Sequence, residues 1–253
     1  MRIARFSIDD EVDFGVVEGD EVAPITGHPF APFIFTGYRY QLSEVKLLAP
    51  VIPSKVVAIG KNYAEHAVEM GGTPPSAPMI FLKPSTAVIG TEEPISYPSS
   101  SQRVDYEGEL GVVIGRLCRD VPVESALEAV LGYTCANDVT ARDQQATDGQ
   151  WTRSKGHDSF CPLGPWLETN LDPTDLAITT TLNGEKRQDA RTSSMVHSVP
   201  SLVSYISTAM TLLPGDVILT GTPAGIGPMS VGDVIEVTIE GIGTLTNRVL
   251  ARG

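Results

Sequence analysis

Hydrophobic and polar positions change period several times along this chain, and the changes mark its elements. "KVVAIG" is an unbroken apolar run closed by Gly60, which predicts a short buried strand. "KNYAEHAVEMGG" follows, and its Ala-rich middle and terminal Gly71-Gly72 predict a short helix with its C-cap. The prolines of "TPPSAP" stop any continuation, and "MIFLKPSTAVIG" reads as strand, turn and strand. "ESALEAVLGYTCANDVTARDQQ" reads as helix, strand, loop and helix. In the last third, "PGDVILTG", "VGDVIEVTIEGIG" and "TLTNRVLA" are β-branched runs separated by Pro-Gly-Asp or Gly-Asp turns. Near the start, "RIARFSI", "FGVVEG" and "EVAPI" are strand-like pieces broken by Asp-Asp, Gly-Asp and Pro. The two prolines of "LLAPVIPSK" mark a boundary, predicting a small β-rich N-terminal domain over 1–50 and a larger domain over 51–253. The expected fold class is α+β, rich in β-structure, with a few short helices.

One segment combines strand periodicity with charge. In "RVDYEGELGVVIG" the acidic residues Asp105, Glu107 and Glu109 fall at every second position, so a continuous strand would put them on one face. Neighbouring same-face Cα atoms lie roughly 6.6 Å apart, at about 3.3 Å rise per residue, close enough for their oxygens to converge. Like charges that converge need a cation, a shared proton or open water. From Leu110 to Gly115 the strand is apolar on both faces, as in a buried strand, which puts the glutamates where it leaves the core. A second buried-looking strand, "LGYTCAND", also ends in a carboxylate, Asp138. Carboxylates at neighbouring strand ends would suit a hard divalent cation such as Mg²⁺ or Mn²⁺. A solvated acidic face remains the alternative, because spacing does not show that the two strands are neighbours.

His66 and Glu69 are three apart, which on a helix places them on one face. A carboxylate beside an imidazole holds its tautomer and stabilises the imidazolium, as in a general base that activates water. A surface His-Glu pair is the plain alternative. The glycine and proline flanks make this helix a candidate mobile lid. Cations are sparse, and Lys61, Lys83, Arg142 and Lys155 are candidates for a local positive patch. "LTGTPAGIGPM" lacks the Gly-Lys-Ser/Thr of a nucleotide-phosphate loop, though its backbone could face an anion.

Composition narrows the partners. With 253 residues and 42% hydrophobic content, the chain can bury one sizeable core. No apolar run is long enough to span a bilayer and "MRIARFSIDD" has no secretory h-region, so a cytoplasmic protein with no membrane partner is expected. Cys118, Cys135 and Cys161 are odd in number and widely spaced, which fits neither a disulfide framework nor a zinc site. The 18 basic and 31 acidic residues give a net charge of −13, with no basic cluster for nucleic acid. An anionic substrate would need a local positive patch or a metal ion.

Read in order, "GKNYAEHAVEMG", "PMIFLKPSTAVIG", "VDYEGELGVVIG", "CANDVTARDQQ", "RSKGHDSFCPLGPW" and "LPGDVILTGTPAGIG" together resemble the fumarylacetoacetate hydrolase family, from about Lys55 to the C-terminus. The resemblance implies a mixed β-sheet roll, usually in a homodimer. It further implies Mg²⁺ or Mn²⁺, sometimes Ca²⁺, held by Glu107, Glu109 and Asp138, with His66, Glu69 and Lys155 catalytic. Arg142, Gln145 and Thr222 would contact substrate, and Lys61 and Lys83 occupy family-typical basic positions. The extra acidic ligand and longer N-terminal domain of enzymes acting on fumarylacetoacetate itself have no counterpart here. The chain looks more like the shorter bacterial branch of acylpyruvate hydrolases, oxaloacetate decarboxylases, and isomerases or decarboxylases of homoprotocatechuate breakdown.

The expected activity is therefore metal-dependent cleavage of a carbon–carbon bond in a small anionic β-diketo or 2-oxo acid, with His66, oriented by Glu69, activating water. The alternatives are an isomerase acting on 2-hydroxyhepta-2,4-diene-1,7-dioate, a decarboxylase acting on 5-carboxymethyl-2-oxo-hex-3-ene-1,6-dioate, and an oxaloacetate decarboxylase. A metal-stabilised binding protein without turnover is the non-enzymatic rival.

Overall fold

A computed structural model describes residues 1–252. Its centre is a thirteen-stranded mixed sheet. From one edge inward that sheet runs Met79–Lys83, Val56–Gly60, Val217–Leu219, Gly108–Ile114, Val130–Asn137 and Cys161–Glu168. Val217–Leu219 and Val56–Gly60 are parallel, and the other neighbours in this run are antiparallel. Val57, Ile59, Leu110, Val112 and Ile114 pack into the largest apolar cluster, while Val56, Ala58 and Val113 pack into another. Burial on both faces is why these strands read as unbroken apolar runs.

A five-stranded sheet joins the largest cluster through Ile178, Val237, Ile239 and Leu245. The helix Val199–Ala209 joins it too, burying Val199, Leu202, Val203 and Ile206. Those spacings of three, four and seven are one helical face. The N-terminal strands Arg2–Ile8, Glu11–Glu18 and Glu21–Thr26 extend the large sheet, since Arg2–Ile8 pairs with Cys161–Glu168. Among the described residues, no helix is long and apolar enough to cross a membrane.

Two expected elements differ. "ESALEA" lies in a 3-10 helix, Val123–Ala129, and the acidic segment is not one strand. Val104–Tyr106 pairs with Thr140–Ala141 and Gly227–Met229 in a separate three-stranded sheet, while Gly108–Ile114 lies in the large one. The chain changes sheets at Glu107, whose N–H donates to the Asn137 side-chain oxygen at 2.9 Å. That side-chain bond takes the place of a strand ladder and keeps the buried amide paired.

Candidate active site

Register builds this site. Gly108 is opposite Asn137 in the antiparallel pair, so the residues just outside it, Glu107 and Asp138, are brought together. Asp138 N–H donates to the Glu107 carbonyl at 2.8 Å. Glu109, one residue into the strand, accepts 2.6 Å from the Gly221 N–H. One oxygen from each of Glu107, Glu109 and Asp138 lies within 4.8 Å of the others, and all three residues are buried. Gly108 between the glutamates permits the approach of the second sheet, since a Cβ there would stand 2.2 Å from Thr180 Oγ1.

Asp105, the third member of the alternation, stays outside this group. Its oxygens take Arg103 Nε at 2.9 Å and Arg142 Nε at 2.9 Å. Arg142 in turn donates to Glu107 and, at 2.8 Å, to Gln145 Oε1. Lys155 Nζ lies 2.9 Å from Glu107 Oε2 and 2.6 Å from Asp138 Oδ2, and Lys83 binds the other Asp138 oxygen. The three carboxylates therefore differ. Burial opposes ionisation of Glu107, but Lys155, Arg142 and His66 overcome it and hold its carboxyl well below the usual range. Glu109 has no such partner, and burial together with Asp138 and Glu107 pushes its carboxyl well above that range. Burial also disfavours the Lys155 charge, which Asp138 and Glu107 more than restore.

The donor set fits a hard divalent ion. Oxygens bound to Mg²⁺ at about 2.1 Å lie within roughly 4.2 Å of one another, so a 4.8 Å spread needs only side-chain adjustment. Such an ion would relieve the repulsion that Glu109 meets.

His66 lies on the helix Ala64–Glu69, with Nδ1 3.0 Å from Glu69 Oε2. Glu69 Oε1 accepts 3.0 Å from the Gly225 N–H. His66 is 5% exposed and lines one narrow cavity with Glu107, Glu109, Asp138, Lys155 and Arg142. Lys61, Gln145 and Thr222 line it as well. Two of the candidate substrate-binding residues already have partners within the protein. Lys83 is enclosed and absent from the lining, because its ammonium is spent on Asp138 and the Val139 carbonyl at 3.2 Å. Thr222 Oγ1 donates to the Gly108 carbonyl at 2.9 Å and accepts from Gln188 Nε2 at 2.8 Å, so its hydroxyl is already engaged.

Gln188 was invisible to sequence reasoning. It is fully buried in the mostly charged strand Glu185–Arg191, and its Oε1 accepts 2.9 Å from the Gly108 N–H. Its Nε2 also donates 2.8 Å to the Pro223 carbonyl, closing a ring around the peptide between the two glutamates. Phe81 and Trp151 form an apolar wall, edge to face at 5.3 Å, with Lys155 Nζ 5.0 Å from the Phe81 ring. Nothing in their local pattern separates them from ordinary core aromatics.

Comparison with known proteins identifies the family. The chain matches the fumarylacetoacetate (FAA) hydrolase C-terminal family over residues 55–250 and the Rv2993c-like N-terminal family over residues 1–50. Oxaloacetate tautomerase YisK of Bacillus subtilis is 43% identical over 227 residues, covering 84% of this chain and 75% of that protein. A Mycobacterium smegmatis structure described as 5-carboxymethyl-2-hydroxymuconate delta-isomerase superposes with a TM-score of 0.94 at 53% identity, each chain covered in full. Maleylpyruvate hydrolase of Sphingobium sp. SYK-6, solved with manganese(II) and pyruvate, gives a TM-score of 0.84 at 33% identity, again over the whole of both chains. Relatives of this fold are thus isomerases, hydrolases and tautomerases, and at least one holds a divalent metal. With most of its length matched and its acidic residues gathered at a sheet junction, this chain belongs to the fumarylacetoacetate hydrolase family of enzymes.

Proposed function

We propose that this chain is a divalent-metal-dependent hydrolase that cleaves a carbon–carbon bond in a small β-diketo or 2-oxo acid. The observation that carries the reading is the His66–Glu69 pair lining the same cavity as the three carboxylates. Mg²⁺ or Mn²⁺ held by Glu107, Glu109 and Asp138 would supply positive charge to an enolate as it develops. With the Nδ1 proton donated to Glu69, His66 Nε2 carries the lone pair that accepts a proton from water. The water oxygen attacks the carbonyl distal to the 2-oxo group. The adjacent carbon–carbon bond then breaks, its electron pair leaves as the enolate, and that carbon regains the proton. Lys155, held between Glu107 and Asp138, helps to lower the Glu107 carboxyl and offers positive charge on the cavity wall.

The cavity offers about 30 Å³ of space, enough for about two or three waters and less than a small 2-oxo acid fills. Substrate entry therefore requires a wall to move, and the short helix bearing His66 is the element we assign to that motion. A second reading, proton transfer between enol and keto forms without cleavage, is favoured by the tautomerase and isomerase names of the relatives above. A turnover panel with Mg²⁺ and Mn²⁺ separates them. Acetylpyruvate cleavage supports hydrolysis, whereas ketonisation of enol-oxaloacetate without acetylpyruvate cleavage replaces it with tautomerisation. No turnover on the panel with either metal defeats both.

A further inference from the structure

The seam between the N-terminal strands and the rest of the chain holds a cation without a partner. Arg5 lies on the strand Arg2–Ile8, whose alternation sends Ala4 and Phe6 into one apolar cluster and Ile3 into another. Arg5 shares the Ile3 face, so its side chain leaves the strand where apolar residues gather. A half-buried arginine in such a place ordinarily finds a carboxylate. Among the described residues Arg5 has no ion pair and no side-chain hydrogen bond. Every other arginine there pairs with a carboxylate or, in the case of Arg248, donates to the Gly232 carbonyl. Burial lowers the Arg5 pKa and Glu93 offsets that only in part. Glu93 is itself engaged, by Lys46 at 3.2 Å and by the Gly90 N–H at 2.7 Å.

Arg5 lines a cavity of about 270 Å³, near the lower end of small-ligand sites at roughly 300 Å³. The walls are aromatic and aliphatic. Phe14, directly opposite Arg5 in the strand pair, meets His28 edge-on at 4.9 Å between ring centres, and His28 stacks on Phe30 at 4.8 Å. Phe30 stands against the turn at Gly215, where a Cβ would be 3.5 Å from the ring, and Ile52 and Pro214 extend the apolar lining. The Phe30 N–H donates to His28 Nδ1 at 3.4 Å, so a neutral imidazole carries its proton on Nε2 and adds a second donor to the lining. Among the described residues no acidic side chain lines this cavity, and it shares no residue with the cavity of the acidic centre.

A desolvated guanidinium among flat apolar walls is complementary to a ring that carries one carboxylate. The guanidinium can hold that carboxylate through two parallel hydrogen bonds, and the ring can pack on the aromatic side chains. An inorganic anion would answer the charge but leave the apolar walls in water. We propose that this cavity is a ligand site, separate from the acidic centre, for a small aromatic carboxylate held by Arg5.

The test is calorimetric titration of the full chain with benzoate, in chelator so that no metal ion competes for the carboxylate. The wild type binds benzoate with a dissociation constant of about 1 mM or lower. Benzamide, which keeps the ring and loses the charge, binds at least about tenfold more weakly, and Arg5→Gln weakens benzoate by a similar factor. Cyclohexanecarboxylate binds at least about threefold more weakly than benzoate, because it lacks the aromatic face. In amide spectra of the wild type, benzoate shifts the Phe30 and Gly215 resonances, which places the ligand even if Arg5→Gln does not fold. No binding of benzoate by about 10 mM overturns the proposal, as does equal affinity for benzamide or for cyclohexanecarboxylate. Undiminished benzoate binding in folded Arg5→Gln, or shifts confined to residues away from this cavity, overturns it as well.

Discussion

Gly108 lies directly opposite Asn137, and this single register brings Glu107 and Asp138 side by side although thirty-one positions separate them in the chain. The convergence predicts a divalent-ion site whose members respond differently to neutralisation. Glu107→Gln and Asp138→Asn each weaken Mn²⁺ binding by more than about 100-fold, beyond the usual effect of altering groups behind a ligand. Chelation abolishes turnover and added Mg²⁺ or Mn²⁺ restores it. Glu109→Gln also loses the metal but raises the melting temperature of the metal-free protein, because it removes the one carboxylate without a cationic partner. Full activity in strong chelator, or a lower melting temperature for metal-free Glu109→Gln, contradicts this account.

In the proposed reaction His66 is the base and Glu69 its orienting carboxylate, and neither is among the three carboxylates that would hold the metal. His66→Ala should lower kcat for hydrolysis by about 10²- to 10⁴-fold, the range of general base catalysis, with Mn²⁺ affinity unchanged. Glu69→Gln should give a smaller loss of the same kind. Calorimetry alongside steady-state kinetics checks both, and a parallel fall in metal affinity removes His66 from the role of base.

Gln188 holds the peptide between the two glutamates and the Thr222-Pro223 turn together. Gln188→Leu leaves the buried Gly108 N–H unpaired, at a cost of about 1–3 kcal/mol in stability. It should also weaken Mn²⁺ binding by about 10- to 100-fold, as for other groups that orient ligands. A destabilised variant with wild-type metal affinity would limit Gln188 to a structural role.

At Gly108 there is no room for a side chain. In Gly108→Ala the new Cβ would press on Thr180 Oγ1, forcing the two sheets apart. Overpacking of this kind costs about 1–3 kcal/mol, visible as a lower thermal midpoint in the presence and absence of Mn²⁺. Gly149, where a Cβ meets nothing within 4 Å, is the control, and Gly149→Ala should melt like the wild type.

The three cysteines are free and buried. Burial pushes the Cys135 and Cys161 thiols up to about 12, leaving only about one in 10⁴ as thiolate at pH 8. An aromatic disulfide reagent should therefore label neither in the native protein at pH 8 and both in denaturant. Rapid native labelling of either would show that its strand opens readily.

Much of the local structure was legible because it depends on near neighbours. The apolar run before Gly60, the short helix ended by Gly71-Gly72 and the β-branched runs of the last third all appear where their periods place them. The helix Val199–Ala209 could have been read as well, since its apolar spacing of three, four and seven is plain, yet Pro200 and the serines obscured it. Pro200 in fact lies in the first turn, where a missing N–H costs nothing. The alternation of Asp105, Glu107 and Glu109 overstated what one strand could do, because the chain passes between sheets at Glu107.

By itself the sequence determined the set of groups that could carry the chemistry, namely paired glutamates, an aspartate at a strand end, a His-Glu pair and a few cations. Residue type and local period suffice for that, because they govern which side chains leave a strand or helix together. Only the tertiary structure decided which of them meet. Lys83 became an enclosed partner of Asp138, Asp105 became an anchor for Arg142, and Gln188 entered from a distant strand. Strand register and sheet-on-sheet packing are set by the burial of the whole core, so no local stretch of residues encodes these meetings.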